Sequence, residues 1–165
     1  MPELTIRSGG QTGVDRAALD LALRRRQPYC GWCPRGGWAE DFPEPPGVLT
    51  QYPKLNETPT GTLEQRTAWN VRDSHATIIL IRNETELASP GVSFTWLCAE
   101  LIFVKPCHVV DLTKPNVIEP AREWFSRTIA LATDPQFILN VAGPRESIAP
   151  GVYEQATRFL NDLLA

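Results

Sequence analysis

Three short segments place small residues and hydroxyls where a strand hands over to a helix. They are Ser8-Gly9-Gly10-Gln11-Thr12-Gly13-Val14-Asp15, Ser89-Pro90-Gly91-Val92-Ser93-Phe94-Thr95 and Gly143-Pro144-Arg145-Glu146-Ser147. Glycine lets a ligand approach the backbone closely. Free amides at a helix N-terminus attract anions, and the hydroxyls of Thr12, Ser93, Thr95 and Ser147 add further donors. Any one such segment is explained equally well as a turn or a cap. Three together point to a phosphate-bearing ligand. The candidate contacts are Gly9, Gly10, Gln11, Thr12, Gly13 and Asp15 from the first, Gly91, Ser93 and Thr95 from the second, and Gly143, Arg145, Glu146 and Ser147 from the third.

A second group is helical. Arg66, Asn70 and Asp73 fall at i, i+4 and i+7 and so share one helix face. A guanidinium grips phosphate with two parallel bonds, which makes Arg66 a candidate for the same ligand. Asp15 lies in the first turn of a predicted helix, where a carboxylate suits the macrodipole. It would repel a phosphate there unless a cation or a sugar hydroxyl intervened, so it is expected to orient a hydroxyl or a metal, or to pair with Arg16.

Other chemistries are poorly supported. No Gly-Lys-Ser/Thr follows Gly9–Gly13, and the glycine spacing is not that of a dinucleotide fingerprint, so neither an ATPase loop nor NAD is expected. There is no Gly-x-Ser-x-Gly elbow and no cluster with metal-ligand spacing. Catalytic residues are unassigned and no structural metal is expected. Cys30-Gly-Trp-Cys33 is a CxxC, but Pro34-Arg35-Gly36-Gly37 follows it and cannot start the helix that activates a dithiol. Ordinary buried or half-buried thiols are expected.

The elements that must position these residues alternate. Leu4–Ile6, Tyr29–Cys33, Ala76–Ile81, His108–Leu112 and Phe137–Val141 read as strands. Helices are predicted from Val14, over Glu64–Asp73 with Trp69 as core anchor, and over Phe94–Val104, Pro120–Leu131 and Pro150–Leu164. The alternation predicts an α/β fold, with a mostly parallel sheet flanked by helices on both faces, and a single domain over residues 1–165. A Pro/Gly-rich segment at 34–62 interrupts it, and is expected to form an ordered loop over one edge of the site. The 165 residues are 42% hydrophobic and 21% charged, which excludes general disorder. The net charge of −3 gives no reason to expect nucleic acid. No apolar run reaches the roughly 20 residues of a membrane span, and no secretory signal is read, so a cytoplasmic protein is expected.

The run Ser8-Gly-Gly-Gln-Thr-Gly-Val-Asp-Arg-Ala-Ala-Leu-Asp20 resembles the putative molybdenum carrier family, circularly permuted Rossmann-like relatives of the LOG phosphoribohydrolases. The resemblance continues through Gly31–Pro34, Ala39–Asp41, Arg66-Thr67, Asn70–Ser74, Lys105-Pro106 and Asn140–Ser147. It implies a Rossmann-like fold, self-association as a homo-oligomer, and a nucleotide or molybdenum cofactor as ligand. The LOG enzymes carry Pro-Gly-Gly-x-Gly-Thr-x-x-Glu after the central strand. Here the stretch is Pro90-Gly-Val-Ser-Phe-Thr95, Cys98 stands in place of the glutamate, and Glu100 comes two positions late. Arg66 stands where those enzymes have a catalytic arginine. The expectation is therefore a carrier of the molybdenum cofactor, with Trp38 or Tyr52 against the heterocycle and the 34–62 loop as cover. The alternative is a nucleotide-binding hydrolase cleaving an N-glycosidic bond, with Arg66 on the phosphate and Asp15, Glu100 or Glu146 assisting departure.

Overall fold

Ala76–Ile81 is the strand on which the rest is assembled: all six residues are buried, as a strand covered on both faces requires. The computed structural model describes residues 2–165. In chain order the elements are β1 (Glu3–Arg7), α1 (Val14–Arg24), β2 (Tyr29–Cys30), β3 (Trp32–Cys33), β4 (Asn56–Glu57), α2 (Leu63–Arg72), β5 (Ala76–Ile81), α3 (Pro90–Leu97), β6 (Cys107–Asp111), α4 (Ile118–Ala130), β7 (Gln136–Ala142) and α5 (Val152–Leu163). The main sheet has the order β2-β1-β7-β5-β6, and every neighbouring pair is parallel.

Period-2 alternation along β5 divides the core. Ile78 and Leu80 face the larger apolar layer under α1, α4 and α5, while Ile79 and Ile81 face Val92 of α3. Val14, Ala17, Ala18, Leu21 and Ala22 of α1 are all buried, at the spacing the sequence shows. Alanine at three of these positions lets α1 approach α5 closely.

The order of the sheet carries a further regularity. If β7 and α5 preceded β1, the strands would read 3-2-1-4-5, as in a dinucleotide-binding fold. Pro2 and Ala165 line one and the same cavity, beside Phe125 and Ile129 of α4.

Two predicted elements differ from the expectation. The run Tyr29–Cys33 is two strands in two sheets. A Cβ at Gly31 would overlap the Ser8 carbonyl, so the chain passes close over the first turn there, and Trp32–Cys33 pairs with Asn56–Glu57. The predicted helix Phe94–Val104 begins earlier, at Pro90, and widens into a π-turn over Cys98–Ile102. The 34–62 segment packs onto the main core through part of its length. Val48, Tyr52 and Leu55 are buried in the main core, and the Tyr52 hydroxyl donates to Asp20 of α1.

Candidate functional site

In a parallel sheet the turns that follow the strands converge on one edge. Here the turns after β1 and β7, the α3 N-terminus and one face of α2 enclose a cleft of about 80 Å³. Nine predicted residues line it: Gly9, Gln11 and Asp15, then Arg66 and Asn70, then Gly91 and Thr95, and finally Gly143 and Arg145.

Its floor is an ion pair. Arg66 Nη1 donates to Asp15 Oδ2 at 3.3 Å and to the Gly9 carbonyl at 3.3 Å. The Gln11 amide donates to the same Asp15 oxygen at 3.3 Å. Burial pushes the Asp15 carboxyl up, against the opposing guanidinium charges of Arg66 and Arg16. Burial likewise pulls Arg66 down, opposed by Asp15. Asp15 therefore pairs with Arg66 in the cleft. Arg16, the alternative partner, turns outward to Asp41 at 2.7 Å.

Several donors of the first turn are engaged within the fold. Gln11 N serves Asp15, Thr12 N serves its neighbour's Gln11 Oε1 at 3.0 Å, and Val14 N serves the Pro144 carbonyl at 3.3 Å. A Cβ on Gly9 would overlap Arg66. Gly10 lies away from the cleft, against Leu55 and Val48.

The second turn is open and exposed at Gly91. Among the described residues, the amides of Gly91 and Val92 have no backbone partner, as expected for the first turn of a helix. Nothing lies within 4 Å of a Cβ built on Gly91. The Thr95 hydroxyl is spent on the Gly91 carbonyl at 2.8 Å, and the exposed Ser93 bonds Pro90 at 3.2 Å. Two more donors are buried without partners, Gln11 Nε2 and Arg66 Nε. Both residues line the cleft. Such orphans are costly, and each calls for an explanation.

Other predicted site residues have structural work outside the cleft. Thr12 and Ser147 both bond the Glu40 carboxylate, Ser147 Oγ at 2.6 Å. Gly13 packs against the Pro144 carbonyl and the Glu146 amide. Glu146 caps α5 through the amides of Gly151 and Tyr153. Asp73 accepts from the Trp32 indole at 2.8 Å and pairs with Arg72 at 2.7 Å. Trp69 is half-buried and meets Trp32 edge-on, 4.8 Å between centroids, rather than entering the main core. Asn70 does reach the cleft wall, but its amide is consumed by Trp32, receiving its N–H at 2.8 Å and donating to its carbonyl at 2.9 Å.

The expected cover is elsewhere too. No residue of 34–62 lines the cleft. Tyr52 is 1% exposed, within the core, and is not a surface for a heterocycle. Trp38 lies at the rim, its ring 5.9 Å from the Arg145 guanidinium. Glu100 is exposed on the π-turn and does not line the cleft, while Cys98 is fully buried. Burial, reinforced by Glu57, pushes the Cys33 thiol up to about 11, the opposite of an activated dithiol. Sequence reasoning missed Asn140 and Glu40. Asn140 is 2% exposed on the cleft wall, and its signal was an amide inside an otherwise apolar strand.

The doubly wound sheet and the crevice at its carboxyl edge, between β7 and β5 where the order reverses, define a Rossmann-like α/β protein. Residues 6–164 match the circularly permutated YpsA SLOG family, and the chain belongs to it. Its structure is similar to the crystal structure of a protein named "Putative molybdenum carrier protein" from Syntrophus aciditrophicus SB, at 34% identity and a TM-score of 0.83, covering 99% of this chain and 97% of that one. No curated protein matches the chain. Among the described residues, no helix is long and apolar enough to cross a membrane. Among the described residues, no group of three His, Cys, Asp or Glu side chains is placed to hold a metal ion.

Proposed function

We propose that the cleft binds the phosphate end of a small molecule, and that the chain serves as a carrier of the molybdenum cofactor rather than as a hydrolase. The observation that carries the reading is the set of donors without partners around one small space: the amides of Gly91 and Val92, Gln11 Nε2 and Arg66 Nε. Arg145, half-buried at the rim, adds a second guanidinium. Amides at a helix N-terminus with two guanidinium groups suit a phosphate. The volume of about 80 Å³ is well below the 300–1,000 Å³ of a pocket that engulfs a drug-sized ligand. A phosphate enters, and the heterocycle lies outside along the rim, beside Ile148 and Arg145. The donors of the cleft are nitrogen and hydroxyl groups, so they suit the cofactor's phosphate, and the molybdenum stays with the cofactor's own atoms.

The carrier reading is favoured over hydrolysis by the carboxylates. Asp15 is the acid on the cleft wall, and it is tied to Arg66. Glu100 and Glu146 are placed elsewhere. Self-association is proposed through Trp96, Leu97, Leu101, Ile102 and Val104, exposed apolar residues at the end of α3 and beyond it. A reducing cytoplasmic setting is in keeping with four free cysteines.

The test is mass spectrometry of the small molecules that co-purify, followed by calorimetry with AMP and a pterin phosphate and an assay for released adenine. A bound pterin and no adenine release are expected. Turnover of AMP would transfer the site to the hydrolase reading.

A further inference from the structure

Asp15 runs against the rest of the cleft's chemistry. The α3 amides, Gln11 Nε2, Arg66 and Arg145 are all hydrogen-bond donors. An ionised carboxylate only accepts. Asp15 is on the cleft wall, 8% exposed, held in place by the Gln11 amide and Arg66. A tetrahedral anion seated on the donors brings its own acceptor oxygens towards this carboxylate. Two acceptors cannot meet in a buried site unless one proton lies between them.

We propose that Asp15 is a specificity residue: the cleft takes ligands that bring an O–H to this carboxylate, and discriminates against tetrahedral oxyanions that carry no proton near neutral pH. The proposal rests on the reading of the cleft as an anion site. A phosphate monoester has a second pKa of about 6 and so retains a titratable proton close to neutrality. That proton, or a ligand hydroxyl beside the phosphate, donates to Asp15, and the Asp15–Arg66 ion pair survives binding. Sulfate and molybdate bring no proton. Either one must draw a proton from solvent onto Asp15, which deprives Arg66 of its counter-charge. The charged groups that act on Asp15 are Arg66 from α2 and Arg16 from α1 itself, and Arg145 lines the same cleft. It follows that molybdenum would reach this cleft within an organic phosphate and not as free molybdate.

Calorimetry with methyl phosphate, sulfate and molybdate at matched ionic strength tests this. Methyl phosphate is expected to bind at least about tenfold more tightly than either inorganic anion, the scale of one hydrogen bond to a charged group. In Asp15→Asn the side-chain amide supplies the missing donor, and the preference is expected to collapse through a gain for sulfate. A second readout uses the wild-type protein alone. At about pH 5.5, below the ester's second pKa of about 6, sulfate binding in buffers of different ionisation heat should take up about one proton, and methyl phosphate binding distinctly less. Equal affinities in the wild type, or equal proton uptake, overturn the role of Asp15 and leave the anion site standing. A folded protein that binds none of the three overturns both.

Discussion

Arg66 and Asp15 stand 51 positions apart in the chain and meet with Nη1 3.3 Å from Oδ2, each side chain 11% exposed. Removing one member of such a pair costs more than the pair itself contributes, because the other charge stays buried. Arg66→Ala is expected to lower stability by about 3–5 kcal/mol. Arg66→Lys keeps the charge but loses the fork, and should weaken AMP or pterin phosphate binding by about 1.5–3 kcal/mol. Urea unfolding and calorimetry measure the two effects. An alanine variant as stable as the wild type would show that the pair is not a structural unit.

Asn70 separates stability from binding. Its amide satisfies both backbone groups of Trp32, at 2.8 and 2.9 Å, and the residue is 3% exposed. Asn70→Ala leaves an N–H and a carbonyl without partners, at about 1–3 kcal/mol each. The expected outcome is a loss of about 2–4 kcal/mol in urea unfolding with methyl phosphate affinity nearly unchanged. A stable variant that no longer binds phosphate would make Asn70 a ligand contact instead.

The sequence shows the alternation, the apolar β5 and the three converging turns, because these rest on local periodicity and turn chemistry. It does not show which donors each turn keeps free. That depends on tertiary partners: the Asp15 carboxylate reaching back to Gln11 N, and Pro144 arriving at Val14 N from the far end of the chain. The helix face of Arg66, Asn70 and Asp73 is legible by spacing, yet the three diverge in role. Arg66 meets Asp15, Asn70 clamps Trp32, and Asp73 holds an indole. The break at Gly31 and the Glu40 latch are likewise set by contacts between distant segments.

Glu40 makes the 34–62 segment sensitive to acid. Partial burial opposes its ionisation, but hydrogen bonds from Ser147 and Thr12, with Arg145 nearby, hold the carboxyl below the usual glutamate value of 4.5. A carboxylate depressed in the folded state stabilises above its unfolded pKa, and that contribution is lost as pH falls through the folded value. The segment should therefore loosen below about pH 4.5, with Trp38 emission at the rim as the probe. Glu40→Gln should show the loosened emission already at neutral pH, and lose its further change with acid. A Trp38 signal that is flat with pH in both proteins would remove the latch.

Two glycines decide which turn holds the anion. Gly10 has φ +80°, a conformation that side chains rarely adopt, and a Cβ there meets Leu55 and Val48 at 3.2 Å. Gly10→Val should therefore act on the fold, by strain and overpacking of about 1–3 kcal/mol. The added side chain points into the core and leaves the cleft's volume alone. Gly91 is the reverse case. It is exposed on the first turn of α3, has open space around it, and carries one of the two free amides. Gly91→Ala should leave stability equal or raise it by about 0.4–1 kcal/mol, since alanine suits a helix and restricts the unfolded chain. The new methyl group stands beside the amide that would face a phosphate, so methyl phosphate affinity should fall by about tenfold, the scale of one such bond. Thermal unfolding and calorimetry on both variants give four readings. A stable Gly91→Ala with full affinity, together with a folded Gly10→Val that no longer binds, would return the anion to the first turn.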